Sequence, residues 1–297
     1  MRFLDFKTNQ YLLLTLGITS VFIAFILYIL ISMNNSSHQL NRLENALETT
    51  RNLLEEQKRY ALSLSILLSE DKEIIDSFLS NQREESFAII NRKIQTLKTL
   101  QNSSFEVQIH NQDLTTHLQS WDFSKKDIPL DAFRKGLVKV KEEKKPLVSI
   151  ELGKRLNIKA ISPIVKNQAF LGSLETIIDF EYLSKELKQK GYSLFVLLHQ
   201  SHLNTAIEFQ NNPKYDDFVL VNHANIQKLA HLNLTQLKDY GYISNEECSF
   251  AYFAYYDLEG QHLGYIFTGV NNEKHLSINN AFEYQKEEPF LNRVKIQ

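Results

Sequence analysis

Residues 163–178, PIVKNQAFLGSLETII, and residues 255–270, YYDLEGQHLGYIFTGV, decide the fold. Each reads as a strand, a polar turn, then Leu-Gly opening an alternating strand. Leu171-Gly172 and Leu263-Gly264 hold the same place in the two stretches. A glycine inside a strand marks a bulge or a close backbone approach. Outward from the first stretch, alternation places strands at 105–110, 115–121, 147–152, 156–165 and 169–178. A helix at 130–143 interrupts them, with Pro129 near its start. Around the second stretch, a helix at 179–190 stops at Gly191, and strands follow at 192–199, 218–222, 248–256 and 262–270. Short helices are expected at 224–231 and at 235–240, the latter capped by Gly241. Two blocks with one order of elements imply two tandem copies of an α+β module, each built on an antiparallel sheet.

The segment before the modules is helical and apolar by turns. Residues 11–33, YLLLTLGITSVFIAFILYILISM, carry no charge. At about 1.5 Å per residue they span roughly 34 Å, enough for a hydrocarbon core of ~30 Å. A cleaved signal peptide has a shorter apolar run and a small-x-small cleavage site, and no such site follows here. Arg2 and Lys7 precede the span, and no positive charge follows until Arg42, so the N-terminus is expected in the cytoplasm. From Leu40 a 3-4 apolar spacing continues to Phe78 without Gly or Pro, as expected of a long stalk helix. This stalk is either one strand of a homodimeric coiled coil or a helix packed on its own domain. A second helix is expected at 83–100, with Phe87, Ile90, Ile94 and Leu97 on one face.

Composition narrows the function. The 297 residues are 43% hydrophobic and 23% charged, with a net charge of -2, which is globular and offers no basic surplus for nucleic acid. One cysteine, Cys248, excludes an intrachain disulfide and a cysteine-only metal site. His199/His202 and His110/His117 lack a carboxylate at metal-ligand spacing. Neither G-x-S-x-G nor a glycine-rich phosphate loop occurs. No enzyme, cofactor or metal centre is therefore expected.

The order of anchor, long helix, sheet module, connecting helix and sheet module resembles the double Cache (dCache) extracytoplasmic sensory domains of bacterial chemoreceptors, sensor kinases and cyclases. Seven segments carry the resemblance to dCache sensors of epsilonproteobacteria: ALSLSILLSEDKEI (61–74), VQIHNQD (107–113), LQSWD (118–122), DAFRKGLVKVKEEKKPLVSIELGK (131–154), IKAISPI (158–164), FLGSLE (170–175) and KGYSLFVLL (190–198). The chain departs from that pattern at Gln119, at the turn from Lys125 to Pro129, at Gly153-Lys154-Arg155 and at Lys159, which stands where relatives carry arginine. The amino-acid-binding signature of other dCache sensors is not visible. The resemblance implies two PAS-like Cache modules. It gives a cytoplasmic N-terminus (1–10), a transmembrane helix (11–33), stalk and N-terminal helices (34–104), a membrane-distal module (105–178), a membrane-proximal module (179–270) and a polar tail (271–297).

In such domains the distal module usually holds the small-molecule pocket. By matching position, the candidates are His110, Trp121, Arg134, Lys159 and Glu175. Trp121 would form an apolar wall, and Arg134 and Lys159 would pair with a carboxylate or other anion. The competing readings are structural: Trp121 as core, Arg134 as an internal ion pair, Glu175 paired with Lys159 across the sheet, and His110 bonded to backbone. The expected function is a periplasmic small-molecule sensor, single-pass in the inner membrane, signalling through a separate, unidentified partner because about ten cytoplasmic residues leave no room for an output domain. The alternatives are a ligand-free scaffold on the same fold, or a truncated chemoreceptor or sensor kinase.

Overall fold

The computed structural model describes residues 2–101 and 104–272. The expected polar tail from residue 273 onward lies outside them. The first helix, α1 (Arg2–Ser69), begins in one compact unit that ends at Asn45 and runs on into a second that starts at Ala46. Within the first unit, Leu13–Leu30 has a mean hydropathy of 2.5 and no buried residue, so it is long and apolar enough to cross a membrane.

In the second unit α1 buries Ala46, Leu47, Thr50, Leu54, Gln57, Ala61, Leu64, Ser65 and Leu68, the face set by the 3-4 spacing. The helix expected to reach Phe78 in one piece is two. It ends at Ser69, and the Asp71 carboxylate accepts the Ile74 N–H at 3.2 Å to start α2 (Lys72–Leu79). An Asp satisfying an orphan N–H is a strong helix start, so the break is built into the sequence. The third helix, α3 (Arg83–Gln101), follows.

The strands form two antiparallel sheets. The first contains β1 (Glu106–Asn111), β2 (Thr116–Gln119), β3 (Leu147–Leu152), β4 (Leu156–Lys166) and β5 (Ala169–Ile178), in the order β2-β1-β5-β4-β3. Between β2 and β3 lies α4 (Lys135–Glu143). After α5 (Glu181–Gln189), the second sheet contains β6 (Ser193–His199), β7 (Lys214–Tyr215), β8 (Phe218–Leu220), β9 (Tyr240–Ser244), β10 (Cys248–Tyr256) and β11 (His262–Asn271), in the order β7-β8-β6-β11-β10-β9. Apart from the short β7, the two orders are the same when β6 and β11 stand for β1 and β5.

The repeated Leu-Gly stretches are the equivalent hairpins β4–β5 and β10–β11. Gly172 pairs with Ile164 and Gly264 with Tyr255, and in each hairpin the register slips immediately after that pair. A Cβ on Gly172 would lie 2.4 Å from the His110 carbonyl oxygen, and one on Gly264 would lie 1.9 Å from that of Leu197. Both glycines are therefore required by backbone approach in a central strand. At Gly264 the vacated space admits the Tyr255 hydroxyl, which donates to Leu197 O at 3.0 Å.

Three expected helices are corrected. Residues 130–134 form a turn, and α4 starts only at Lys135, because Arg134 is turned inward rather than placed in the first helical turn. Residues 235–240 are not helical, and Gly241 lies inside β9 instead of capping a helix; its missing side chain makes room for the Tyr252 ring. Of residues 224–231, Ile226–Leu229 form a single 3-10 turn.

Candidate ligand-binding site

The first sheet has two different faces. Val107, Ile109, Ile158, Ala160 and Leu174 point to one side and are fully buried. On that side Ser162 meets Ser65 of α1 at 2.7 Å. The opposite face is polar. Strand alternation and the register Gln108↔Glu175, His110↔Ser173, Lys159↔Ile177, Ser149↔Lys159 and Glu151↔Asn157 bring these side chains to one surface. Leu137 and Val140 of α4 cover one end of it, over Ile161. The segment that leads from β2 to α4 covers the rest.

Beneath this cover lies a buried ion network. Arg134 is 4% exposed, Glu151 5%, Lys159 4%, and Glu175 and His110 0%. Arg134 Nη2 donates to Glu175 Oε1 and, at 3.4 Å, to Glu151 Oε2. Glu151 Oε1 also accepts the Gly136 N–H at 3.0 Å, so a strand carboxylate does the capping that Arg134, the residue before α4, cannot do. Burial alone would neutralise Glu175, but the adjacent Arg134 charge wins and holds its carboxyl well below the usual range. The same two carboxylates hold the Arg134 guanidinium protonated despite its burial. His110 Nδ1 shares a hydrogen bond with Ser173 Oγ at 3.0 Å, and Nε2 lies 3.5 Å from Glu175 Oε2. Burial pushes this imidazole down and keeps it neutral.

Lys159 differs from its neighbours. Among the described residues its ammonium has no hydrogen bond and no ion pair, since both nearby carboxylates are committed to Arg134. Burial first, then the Arg134 charge, pushes Lys159 down to about 8. It opens on a cavity of about 330 Å³. Gln108, Asn157 and Ile177 form the floor with Lys159; Trp121, Ile128, Leu130, Phe133 and Arg134 form the covering wall. Gly153, Lys154 and Arg155 close one side, and Glu208 reaches in from the second module. At the rim, Arg155 pairs with Glu106 and, at 3.4 Å, with Glu208, and its guanidinium lies 5.7 Å from the centre of the Trp121 ring. Trp121 is 40% exposed, so it is a rim residue and not core.

The five residues singled out from the sequence thus meet at one place, in two layers. Trp121, Arg134 and Lys159 line the cavity. His110 and Glu175 lie behind it, and Glu175 pairs with Arg134 rather than with Lys159. Sequence reasoning missed Glu151, which completes the network. Its signal was a carboxylate between Ile150 and Leu152 in a strand otherwise read as core.

Residues 36–274 match dCache_3, the double sensory domain of two-component sensor kinase. No curated protein matches the chain. The sensor domain of the Vibrio cholerae histidine kinase DctB is similar in structure, with a TM-score of 0.50 at 14% identity over 80% of this chain and 99% of that one. A domain of a sensory box/GGDEF family protein from Vibrio parahaemolyticus gives 0.48 at 16% identity, covering 78% of this chain and 95% of that one. The ligand-binding domain of the Campylobacter jejuni chemoreceptor Tlp3, solved in complex with L-valine, gives 0.44 at 13% identity, covering 82% and 95%.

Proposed function

The chain belongs to the dCache_3 family of double sensory domains, and on that premise we propose that it is a membrane-anchored sensor that binds a small anionic molecule in the first sheet module. The observation that carries this reading is the Lys159 ammonium, buried, without an acceptor and facing a cavity. A buried charge without a partner is costly, and a ligand anion would remove that cost. Trp121 would close over the ligand, and Arg134, with Glu151 and Glu175, would hold the floor and the start of α4 in place. The anchor would be the apolar window Leu13–Leu30, with the N-terminus in the cytoplasm and the sheet modules in the periplasm, the first module distal to the membrane. Output would pass to a separate membrane or periplasmic protein. Ligand can drive such a change only through unequal affinity for two states.

Thermal-shift measurement on the full chain in nanodiscs tests the binding claim. A panel of small carboxylates, amines, amino acids and neutral analogues should contain stabilising anions whose effect disappears in Lys159→Gln. If no anion stabilises the wild type, the cavity is not a binding site and a ligand-free scaffold becomes the better account. Crosslinking in native membranes, followed by mass spectrometry, should recover one stoichiometric partner; a chain that crosslinks to nothing would sink the separate-output claim.

A further inference from the structure

We propose that the cavity beside Lys159 selects a monoanion with an uncharged, largely apolar body, such as an arylalkyl or alkyl monocarboxylate, and rejects dianions and α-amino acids. This inference rests on the cavity being a ligand site and adds the class of ligand it takes.

The argument is a charge count over named groups. Arg134 is shared between Glu151 and Glu175, and His110 is neutral. Arg155 at the rim is held by Glu106 and Glu208. Lys159 is therefore the one buried cation, among the described residues, with room for a new anion. One carboxylate on Lys159 gives that ammonium the acceptor it lacks and brings the buried set to three carboxylates against two cations, Arg134 and Lys159. A second anionic group would find no buried cation. Lys125 and Lys154 line the mouth, but both are exposed and stand near Asp122, where an ion pair contributes little in water.

An ammonium group fares worse. On an α-amino acid it is bonded one carbon from the carboxylate, which puts it beside Lys159 and Arg134. The acids that line the cavity are engaged elsewhere: Asp122 accepts the Ser124 hydroxyl at 2.6 Å, and Glu208 pairs with Arg155. Glu175 has no exposed surface, and its second oxygen faces His110. What remains for the body of the ligand is an uncharged lining, polar at Thr116, Gln119 and Asn157 and apolar at Trp121, Phe133 and Ile177, which suits an uncharged aromatic or alkyl chain.

The test is a matched set of probes on the full chain in nanodiscs, read by titration calorimetry: phenylacetate, phenylacetamide, phenethylamine, L-phenylalanine and phenylsuccinate. Phenylacetate should bind at least tenfold more tightly than each of the other four. Lys159→Gln should abolish that preference, and Gly153→Ala, whose new Cβ would stand 2.8 Å from Lys159 Nζ, should weaken phenylacetate binding while the protein stays folded. If phenylsuccinate, phenethylamine or L-phenylalanine binds as tightly or more tightly, and does so through Lys159, the site is real and the monoanion inference is wrong. If none of the five binds, and no other anion does, the binding reading itself fails and takes the inference with it.

Discussion

Lys159 makes the empty protein sensitive to alkaline pH, and the sign follows from its depressed value. The amine leaves its ordinary 10.5 for about 8 in the folded chain. Below about pH 8 it is charged in both the folded and unfolded states, so the cost of burying the charge is fully present. Between about pH 8 and 10.5 the unfolded chain binds more protons than the folded one, so stability should rise with pH across that window. The other charged groups facing Lys159 do not titrate there. Glu175 is held far below the window, and Arg134 and Arg155 far above it. Lys159→Met should flatten the rise and stabilise the empty protein at pH 7 by on the order of 1–3 kcal/mol, measured by urea unfolding. Anion affinity should run the opposite way, falling up to about tenfold per pH unit above about pH 8 as the amine loses its proton, provided the anion itself does not titrate there. Arg134→Met is the contrasting change. It takes from Glu151 and Glu175 the guanidinium that pairs both of them and leaves two buried carboxylates to the single Lys159 ammonium, which should cost about 3–5 kcal/mol.

Between elements, α1 is fixed to each sheet by a pair of buried hydroxyls: Thr50 to Thr268 at 2.6 Å in the second sheet, and Ser65 to Ser162 at 2.7 Å in the first. Thr50→Val alone leaves Thr268 without that partner and should cost about 1–3 kcal/mol, whereas Thr50→Val with Thr268→Val should be nearly neutral. A double-mutant cycle in urea should therefore return a coupling of about 2–3 kcal/mol, and additive single effects would show the pair to be inert. Strand hairpins were legible in the sequence because alternation has a fixed period and because glycine marks the tight approach at Gly172 and Gly264. The bounds of β3, β5 and β10 agree with the expected segments for that reason. Helix ends were less legible. Gly241 reads locally as a helix stop, and only the Tyr252 ring from a neighbouring strand explains it. The late start of α4 depends on Glu151, a residue from another strand. In the site, the kinds of charge could be read from the chain, but not their pairing, since Arg134, Glu151 and Glu175 come from three separate elements.

Considered whole, the two modules share a strand order and put it to different uses. The second sheet fills its core with aromatic rings: Phe195 and Phe250 meet at 5.8 Å between centroids, and Tyr252 stacks on Phe267 at 5.2 Å. The first sheet leaves a polar face and a cavity under the segment that leads from β2 to α4. Phe250→Ala should therefore cost about 3–5 kcal/mol of stability. At temperatures where the variant remains folded, the anion affinity proposed for the cavity should be unchanged. A large loss of affinity would show that the second core also shapes the cavity.

The chain has 13 tyrosines and one tryptophan, and that tryptophan stands at the rim of the cavity with the Arg155 guanidinium above its ring. Excitation at the red edge of the absorption band, beyond the tyrosines, addresses that one indole. Its emission colour depends on how much water reaches the ring, and its brightness on the charge beside it. That lone indole is a built-in optical probe: a molecule entering the cavity beside it should shift its emission in real time and without a dye.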